Sequence, residues 1–439
     1  MTPVDPGGIC EAVLDAVGGH AEAEVTAVVG GRALTRFANS HIHQNVAEEL
    51  VTTSVKVCVE GRQASASSTM AATNPRALAD KALSAARLRP VDEGWPGLAE
   101  GPASNSIDHF NLDTAQAGPE LRAGVVSDFV NAGTDSLSAG FFSTSSASVA
   151  FANSAGHRSS GRTADAMVEG IHRRGLAAGR GWQRAVAVNE IDGSLSGRTA
   201  FEKATAGMEA SELPPGHYEV ILEPGCVADI LDFLSWYGFN AKAHAEGQSF
   251  AELGQATFAP SISIYDDATD IASTGLGFDA EGTAKARLDL VSQGVVAALP
   301  HDRRTARAAG TQSTGHAVAG GESFGPLCTN LFLAPGVTTP SAMVASVKRG
   351  LLVTELWYTR ILDPKTQVVT GLTRNGLFLI ENGAVVGAVR NLRFTQSYVD
   401  ALGPDNVVAV GNDARLAISG SVVPSLHLAS WNFTGGAQG

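Results

Sequence analysis

His244 and Glu246 stand two residues apart in the stretch AKAHAEGQSF (241–250). An imidazole beside a carboxylate can serve a zinc enzyme, one as ligand and the other as proton carrier. The spacing completes neither relevant signature. A zinc-protease helix of the H-E-x-x-H type sets two imidazoles on one face, and no second His follows within five residues of His244. A zinc deaminase adds P-C-x-x-C downstream of H-x-E, and Cys10, Cys58, Cys226 and Cys328 form no such pair. The stretch therefore reads as a polar loop between a helix and a strand.

His41 and His43 are a second pair. On a strand, residues two apart share a face, yet no acidic or His cluster can be joined to them from sequence, so they read as an exposed strand pair. His316 lies in a Gly/Thr-rich loop, TQSTGHAVAGG (311–321), with no visible partner. Asp266, Asp267, Asp270, Asp279 and Glu281 form an acidic series. Its spacing is like that of a Ca²⁺ loop without meeting the EF-hand pattern, and a solvated loop is expected. The densest basic spot, His301 to Arg304 with Arg307, reads as a solvated loop or helix start rather than a phosphate site. Serine-hydrolase and P-loop chemistry are not expected. The Gly-rich GHAVAGGESFG (315–325) lacks the strand-then-helix setting and the Lys that phosphate cradling needs.

The elements that must position these residues begin with a chain of 439 residues, enough for two domains at roughly 100–200 residues each. Apolar residues at 44% supply a core, and 49 glycines imply many turns and sheet edges. A net charge of −13 with scattered Lys and Arg counts against nucleic-acid binding. The N-terminus MTPVDPGGIC lacks the charged and apolar regions of a signal peptide. No apolar run is long enough to span a membrane. The dispersed cysteines fit reduced thiols, and a cytoplasmic location is expected.

Short amphipathic or Pro-started helices are expected over 8–18, 75–88, 119–132 and 195–210. Between them lie strands: a hairpin turning at Gly30-Gly31, strands meeting at Glu60-Gly61, and a hairpin turning near Asn153–Gly156. The break Pro214-Pro215-Gly216 marks a domain boundary. Beyond it HYEVILEPG reads as a strand and VADILDFLSWYG as a helix. Short strands follow, including SISIYDD, TGLGFD and LFLAPG, with a helix chiefly at 340–349. The fold class is α+β: an N-terminal α+β domain over 1–212, with antiparallel sheet and helices, and a β-rich C-terminal domain over 213–439.

Seven stretches in order resemble the TldD/PmbA family. They are RFANSHIHQN (36–45), LPPGHYEVILEPG (213–225), GLGFDAEGTAKARLDLVSQGVVAAL (275–299), TGHA (314–317), NLFLAPG (330–336), the K-x-G-L element (348–351) and GLFLIENGAVVGAV (376–389). TldD chains of this family carry H-E-x-x-x-H on the helix after the P-G strand, and a Cys before the I-E-N-G strand. By alignment those ligands fall here on Asp232, Phe233 and Tyr237, and no Cys precedes Leu379. The resemblance is thus to the TldE (PmbA) branch.

That branch implies no catalytic, metal or cofactor residue and no cofactor in this chain, with zinc expected in a TldD-type partner. It implies a heterodimer that cleaves or trims peptides, in leader-peptide removal or unfolded-peptide degradation. This chain would supply cavity walls and a surface for an extended peptide, with a homodimer formed in isolation. Two other readings stay open: an enzyme with its own activity in a natural-product pathway, and a non-enzymatic protein-binding modulator.

Overall fold

A computed structural model describes residues 4–70, 72–101 and 107–436. The first three residues of the N-terminus, and 102–106 of the Pro/Gly-rich segment, lie outside the described residues. The first sheet contains β1 (Glu22–Ala38), β2 (His41–Val59), β3 (Arg62–Ser68), β4 (Leu137–Asn153), β5 (Arg158–Arg174) and β6 (Ala177–Ala185). It is antiparallel throughout, in the order β3-β2-β1-β4-β5-β6.

Two helix pairs cover this sheet. Helices α1 (Pro6–Val17) and α2 (Pro75–Arg87) start with Pro and are capped by Asp5 and Asn74, which satisfy orphan backbone N–H groups. They bury Val13, Val17, Leu78 and Leu83 against Val25, Val55 and Val57. Farther along, after the short α3 (Leu112–Ala115), α4 (Pro119–Asn131) and α5 (Gly193–Ala206) set Val126, Phe129 and Ala200 against Phe37, Phe142 and Val168.

One expectation fails here. β1 runs straight through Gly30-Gly31, and the hairpin turns at Asn39-Ser40, both at positive φ. Gly30 is needed for proximity, not for a turn. A Cβ on it would stand 2.2 Å from the Ser146 carbonyl oxygen of β4. The turns at Glu60-Gly61 and over Asn153–Gly156 fall where expected.

The second half builds two sheets. Its strands are β7 (Gly216–Leu222), β8 (Ile264–Asp266), β9 (Leu288–Ser292), β10 (Val295–Val296), β11 (Leu331–Leu333), β12 (Arg349–Val353), β13 (Leu356–Asp363), β14 (Val368–Thr373), β15 (Leu377–Glu381), β16 (Ala384–Ala388), β17 (Leu392–Ser397), β18 (Val407–Val410), β19 (Arg415–Leu416), β20 (Val422–Val423) and β21 (Leu426–Gly436). A six-stranded sheet has the order β10-β9-β8-β11-β20-β19. A nine-stranded one runs β13-β14-β17-β21-β7-β12-β15-β16, with β18 also on β21.

Five helices interrupt the strands, more than expected: α6 (Pro224–Phe233), α7 (Ala241–Ala245), α8 (Arg303–Ala309), α9 (Pro340–Ser346) and α10 (Tyr398–Ala401). α6 is nearly all apolar on its inner face, and packs Val227, Ile230, Leu231 and Leu234 into the core these sheets share. TGLGFD is not a strand; it contributes only an isolated bridge from Phe278 to Ala284. His109 grips this segment through the carbonyls of Gly275 (2.7 Å) and Asp270 (2.9 Å).

Candidate functional site

The α helix that begins at Pro224 ends at Phe233 and continues as one wide π turn over Leu234–Gly238. Such turns often occur at functional sites. Asp229 and Asp232 lie one turn apart, on one face and half-buried. The Tyr398 hydroxyl donates to Asp229 Oδ2 (2.7 Å), and Thr359 Oγ1 donates to Oδ1 (2.9 Å). The Ser421 hydroxyl lies 3.4 Å from Asp232 Oδ1. Burial pushes Asp229 up to about 6, against the lowering effect of these donors. Burial and then the charge of Asp229 push Asp232 to about 7. The pair can hold a proton near neutrality.

Zinc on the same face would need imidazole, thiolate or several carboxylate ligands. Phe233 stacks on Tyr237, with centroids 6.1 Å apart at 23°, and meets the Tyr398 ring edge-on at 5.8 Å. Aromatic rings fill the places that the resemblance gives to the glutamate (Phe233) and to the second imidazole (Tyr237). Asp232 is turned toward Ser421. Among the described residues, the one group of three potential ligands within reach of each other lies elsewhere. One carboxylate cannot hold a zinc ion alone, so these residues do not fit a catalytic metal.

The other singled-out residues separate into two sets. His244 is exposed on α7, and Glu246 is taken by Lys242 (2.6 Å). His41 and His43 are exposed, and His41 Nδ1 bonds the Asn39 carbonyl at 2.6 Å. Ser323, in GESFG (321–325), matches G-x-S-x-G by letters, a match the sequence reading passes over. It is exposed in a turn rather than at a strand-to-helix elbow.

The second set is buried, against expectation. Asp266 is fully buried, between Lys285 Nζ (3.3 Å) and His316 Nε2 (3.2 Å). Burial alone would raise its pKa, but Lys285 and His316 override burial and hold it well below the usual carboxylate range. Cys328 is beside them. Asp279 accepts from the backbone N–H groups of Ala317, Glu281 and Thr283. The basic spot is a helix start, as expected, since α8 begins at Arg303 with Asp302 as its cap, but its side chains are engaged: Arg303 pairs with Glu24 and Glu281, Arg304 with Asp92, and Arg307 bonds the Trp95 carbonyl. Sequence alone showed no partner for His316, because Asp266, Lys285 and Cys328 meet it only through tertiary folding.

These three sheets and the few helices between their strands define a mixed α+β protein, mostly sheet. The family model described as PmbA/TldA metallopeptidase C-terminal domain matches residues 215–435, half of the chain, and the chain belongs to the PmbA/TldD family. TldE from Thermococcus kodakarensis has a similar fold, with TM-score 0.86, 17% identity and coverage of 98% of this chain and 99% of that one. A metalloprotease of Methanothermobacter thermautotrophicus is 27% identical over 52% of this chain and 51% of its own. A metalloprotease TldD homolog of Buchnera aphidicola (from Acyrthosiphon pisum) is 22% identical over 50% and 46%. The chain spans about half the length of the curated relatives it matches. No helix among the described residues is long and apolar enough to cross a membrane.

Proposed function

We propose that this chain is the metal-free, TldE-type subunit of a heterodimeric, cytoplasmic TldD/TldE zinc metalloprotease. The observation that carries this reading is the α6 face: Asp232, Phe233 and Tyr237, with the two rings stacked on each other. Peptide hydrolysis by a zinc protease needs a metal-bound water and a carboxylate base. Asp232, Phe233 and Tyr237 supply neither imidazole nor a carboxylate base at the aligned position, and the Cys226 thiol on the same helix is buried and held neutral, so catalysis falls to the partner. The contribution of this chain is to wall the cavity and hold an extended peptide. Both edges of the nine-stranded sheet support that role. β13 exposes Trp357, Tyr358 and Leu362, and β16 exposes Val385 and Val386. Edge strands carry unpaired backbone groups that capture a peptide with little regard to its sequence.

The test compares this chain, a TldD-type partner and the mixture on one unfolded peptide, with and without chelator. Cleavage is expected from the mixture, lost with chelator and absent from this chain alone. Chelator-sensitive cleavage by this chain alone, at the rate of the mixture, would overturn the proposal.

A further inference from the structure

His172 of β5 is fully buried, and both of its ring nitrogens are engaged. Nε2 lies 3.0 Å from the Phe129 carbonyl oxygen. A carbonyl can only accept, so the ring proton stands on Nε2. That carbonyl is among the last four of α4, which a helix leaves unpaired. Nδ1 is therefore bare, and it accepts from the Ser136 hydroxyl at 2.8 Å. Burial lowers the imidazole below its ordinary value and keeps it neutral. The ring is held on three sides. Phe129 stacks on it, with centroids 5.3 Å apart at 9°, and Phe201 of α5 meets it edge-on at 5.9 Å and 82°. Gly133 closes the third side, where a Cβ would stand 2.6 Å from Nδ1.

Ser136 itself is half-buried, in the loop between α4 and β4, and its neighbours Thr134, Asp135 and Leu137 are exposed. Its hydroxyl meets a buried base from a position at the surface. The Ser40 hydroxyl, in the turn between β1 and β2, lies 3.5 Å from the Ser136 carbonyl oxygen and ties the loop down. Asp135 is left-handed, with φ 51°, a conformation that helps turn successive N–H groups to one side. The N–H groups of Thr134 and Ser136 have no acceptor among the described residues. Serine proteases hold their oxyanion with donors at this spacing, one on the nucleophile and one two residues ahead. Leu137 and Leu176 supply an exposed apolar rim. Leu176 lies on the adjacent turn, since Arg173 of β5 pairs with both Leu137 and Ala178.

We propose that Ser136 is a nucleophile that takes the acyl group of activated carboxylic esters with a small apolar acyl part, with His172 as its base and the Phe129 carbonyl orienting that base. Nucleophile, base and orienting group in a row are the arrangement that covalent catalysis uses. Ser136 Oγ bonds the acyl carbon, and its proton passes to His172 Nδ1. The ester C–O bond breaks, and the leaving oxygen keeps the electron pair and takes the proton from Nδ1. Water then attacks the acyl-serine by the same route, which frees the acid and restores the hydroxyl. A carbonyl fixes the tautomer of His172 but brings no charge to steady the imidazolium. With a good leaving group the first step outpaces the second, and the acyl form accumulates. Ser136 stands in GTDSLS (133–138), outside any G-x-S-x-G, and its base arrives only through the pairing of β4 with β5. The inference goes beyond the subunit reading, which gives this chain no nucleophile of its own.

The test treats the whole chain with a fluorophosphonate probe and locates the label by peptide mass spectrometry. The Oγ–P bond forms as the P–F bond breaks, and the Oγ proton leaves through His172. About one label per chain is expected, on Ser136, with a matching burst of p-nitrophenolate from p-nitrophenyl acetate. Ser136→Ala should abolish both, and His172→Gln should slow labelling about a hundredfold or more. Ser323→Ala should change neither. If His172→Gln does not fold, the unaltered chain decides: the label on Ser136 should disappear when urea unfolds the chain before the probe is added. A folded chain without label, a label on another serine, or equal labelling of folded and unfolded chain overturns the inference. Chelator should leave the labelling untouched while it stops the cleavage expected of the mixture, so this inference and the subunit reading fail separately.

Discussion

Asp232 is a carboxylate raised toward neutrality beside a second one, Asp229, and its behaviour with pH is specific. The folded-state values of Asp229 and Asp232, about 6 and about 7, lie above the ordinary 3.8. Folding therefore favours the neutral forms. Stability from the pair is fully present below pH 4 and is lost as pH rises through 6 and 7. Asp232→Asn keeps the shape, cannot ionise and relieves Asp229 of its neighbour's charge. The melting temperature of the unaltered chain should fall more steeply between pH 5 and 8 than that of Asp232→Asn. Because Asp232 is half-buried, solvent screening trims the effect to about 1 kcal/mol, or about 2–4 °C in a large domain. Parallel curves in a thermal scan across that range would refute the assignment.

At the scale of elements, local chemistry decides what a sequence shows. Helices α1, α2 and α4 are legible because Ile9, Val13 and Val17 keep helical spacing in α1 and Pro75 and Pro119 start the other two. Gly30-Gly31 misleads because glycine serves two purposes, a turn or a close approach, and only the position of β4 tells which. The two glycines differ in a measurable way. A Cβ on Gly30 meets the Ser146 oxygen at 2.2 Å, whereas on Gly31 the nearest atom is the Glu48 oxygen at 3.5 Å. Gly30→Ala should cost about 1–3 kcal/mol from overpacking between β1 and β4. Gly31→Ala should be close to neutral by urea titration, and equal losses would show that proximity is not the reason. The candidate site divides the same way. Its helix is legible in VADILDFLSWYG, and resemblance to the family singles out Asp232, Phe233 and Tyr237. The buried Asp266–Lys285–His316–Cys328 group carries no local signal, because its members come from four separate segments.

For the whole molecule, the question is what fastens the first sheet to the rest of the chain. Its strands end at Ala185, and those of the other two sheets begin at Gly216. Arg303 of α8 spans the junction. Its Nε lies 3.2 Å from Glu281, its Nη2 pairs with Glu24 of β1, and its Nη1 bonds the Gly97 carbonyl. The guanidinium is 11% exposed and the Glu24 side chain 4%. Glu24 nevertheless sits at about 7, because burial outweighs the Arg303 charge. Removing the cation leaves two carboxylates facing each other with nothing between them. Arg303→Met should therefore cost about 3–5 kcal/mol at pH 8, the usual result of breaking a buried pair from one side. The sign with pH follows from Glu24. Its folded value lies above the unfolded one, so the deficit should shrink as the solution is acidified toward pH 5 and Glu24 takes up a proton. Adding Glu24→Gln to Arg303→Met should recover part of the loss, since it removes one of the two stranded charges. Denaturant titration of the two single variants and the double variant, at pH 8 and pH 5, measures this coupling. Strictly additive losses at both pH values would mean that Arg303 acts through its packing and not as the ionic clasp between the two parts of the chain.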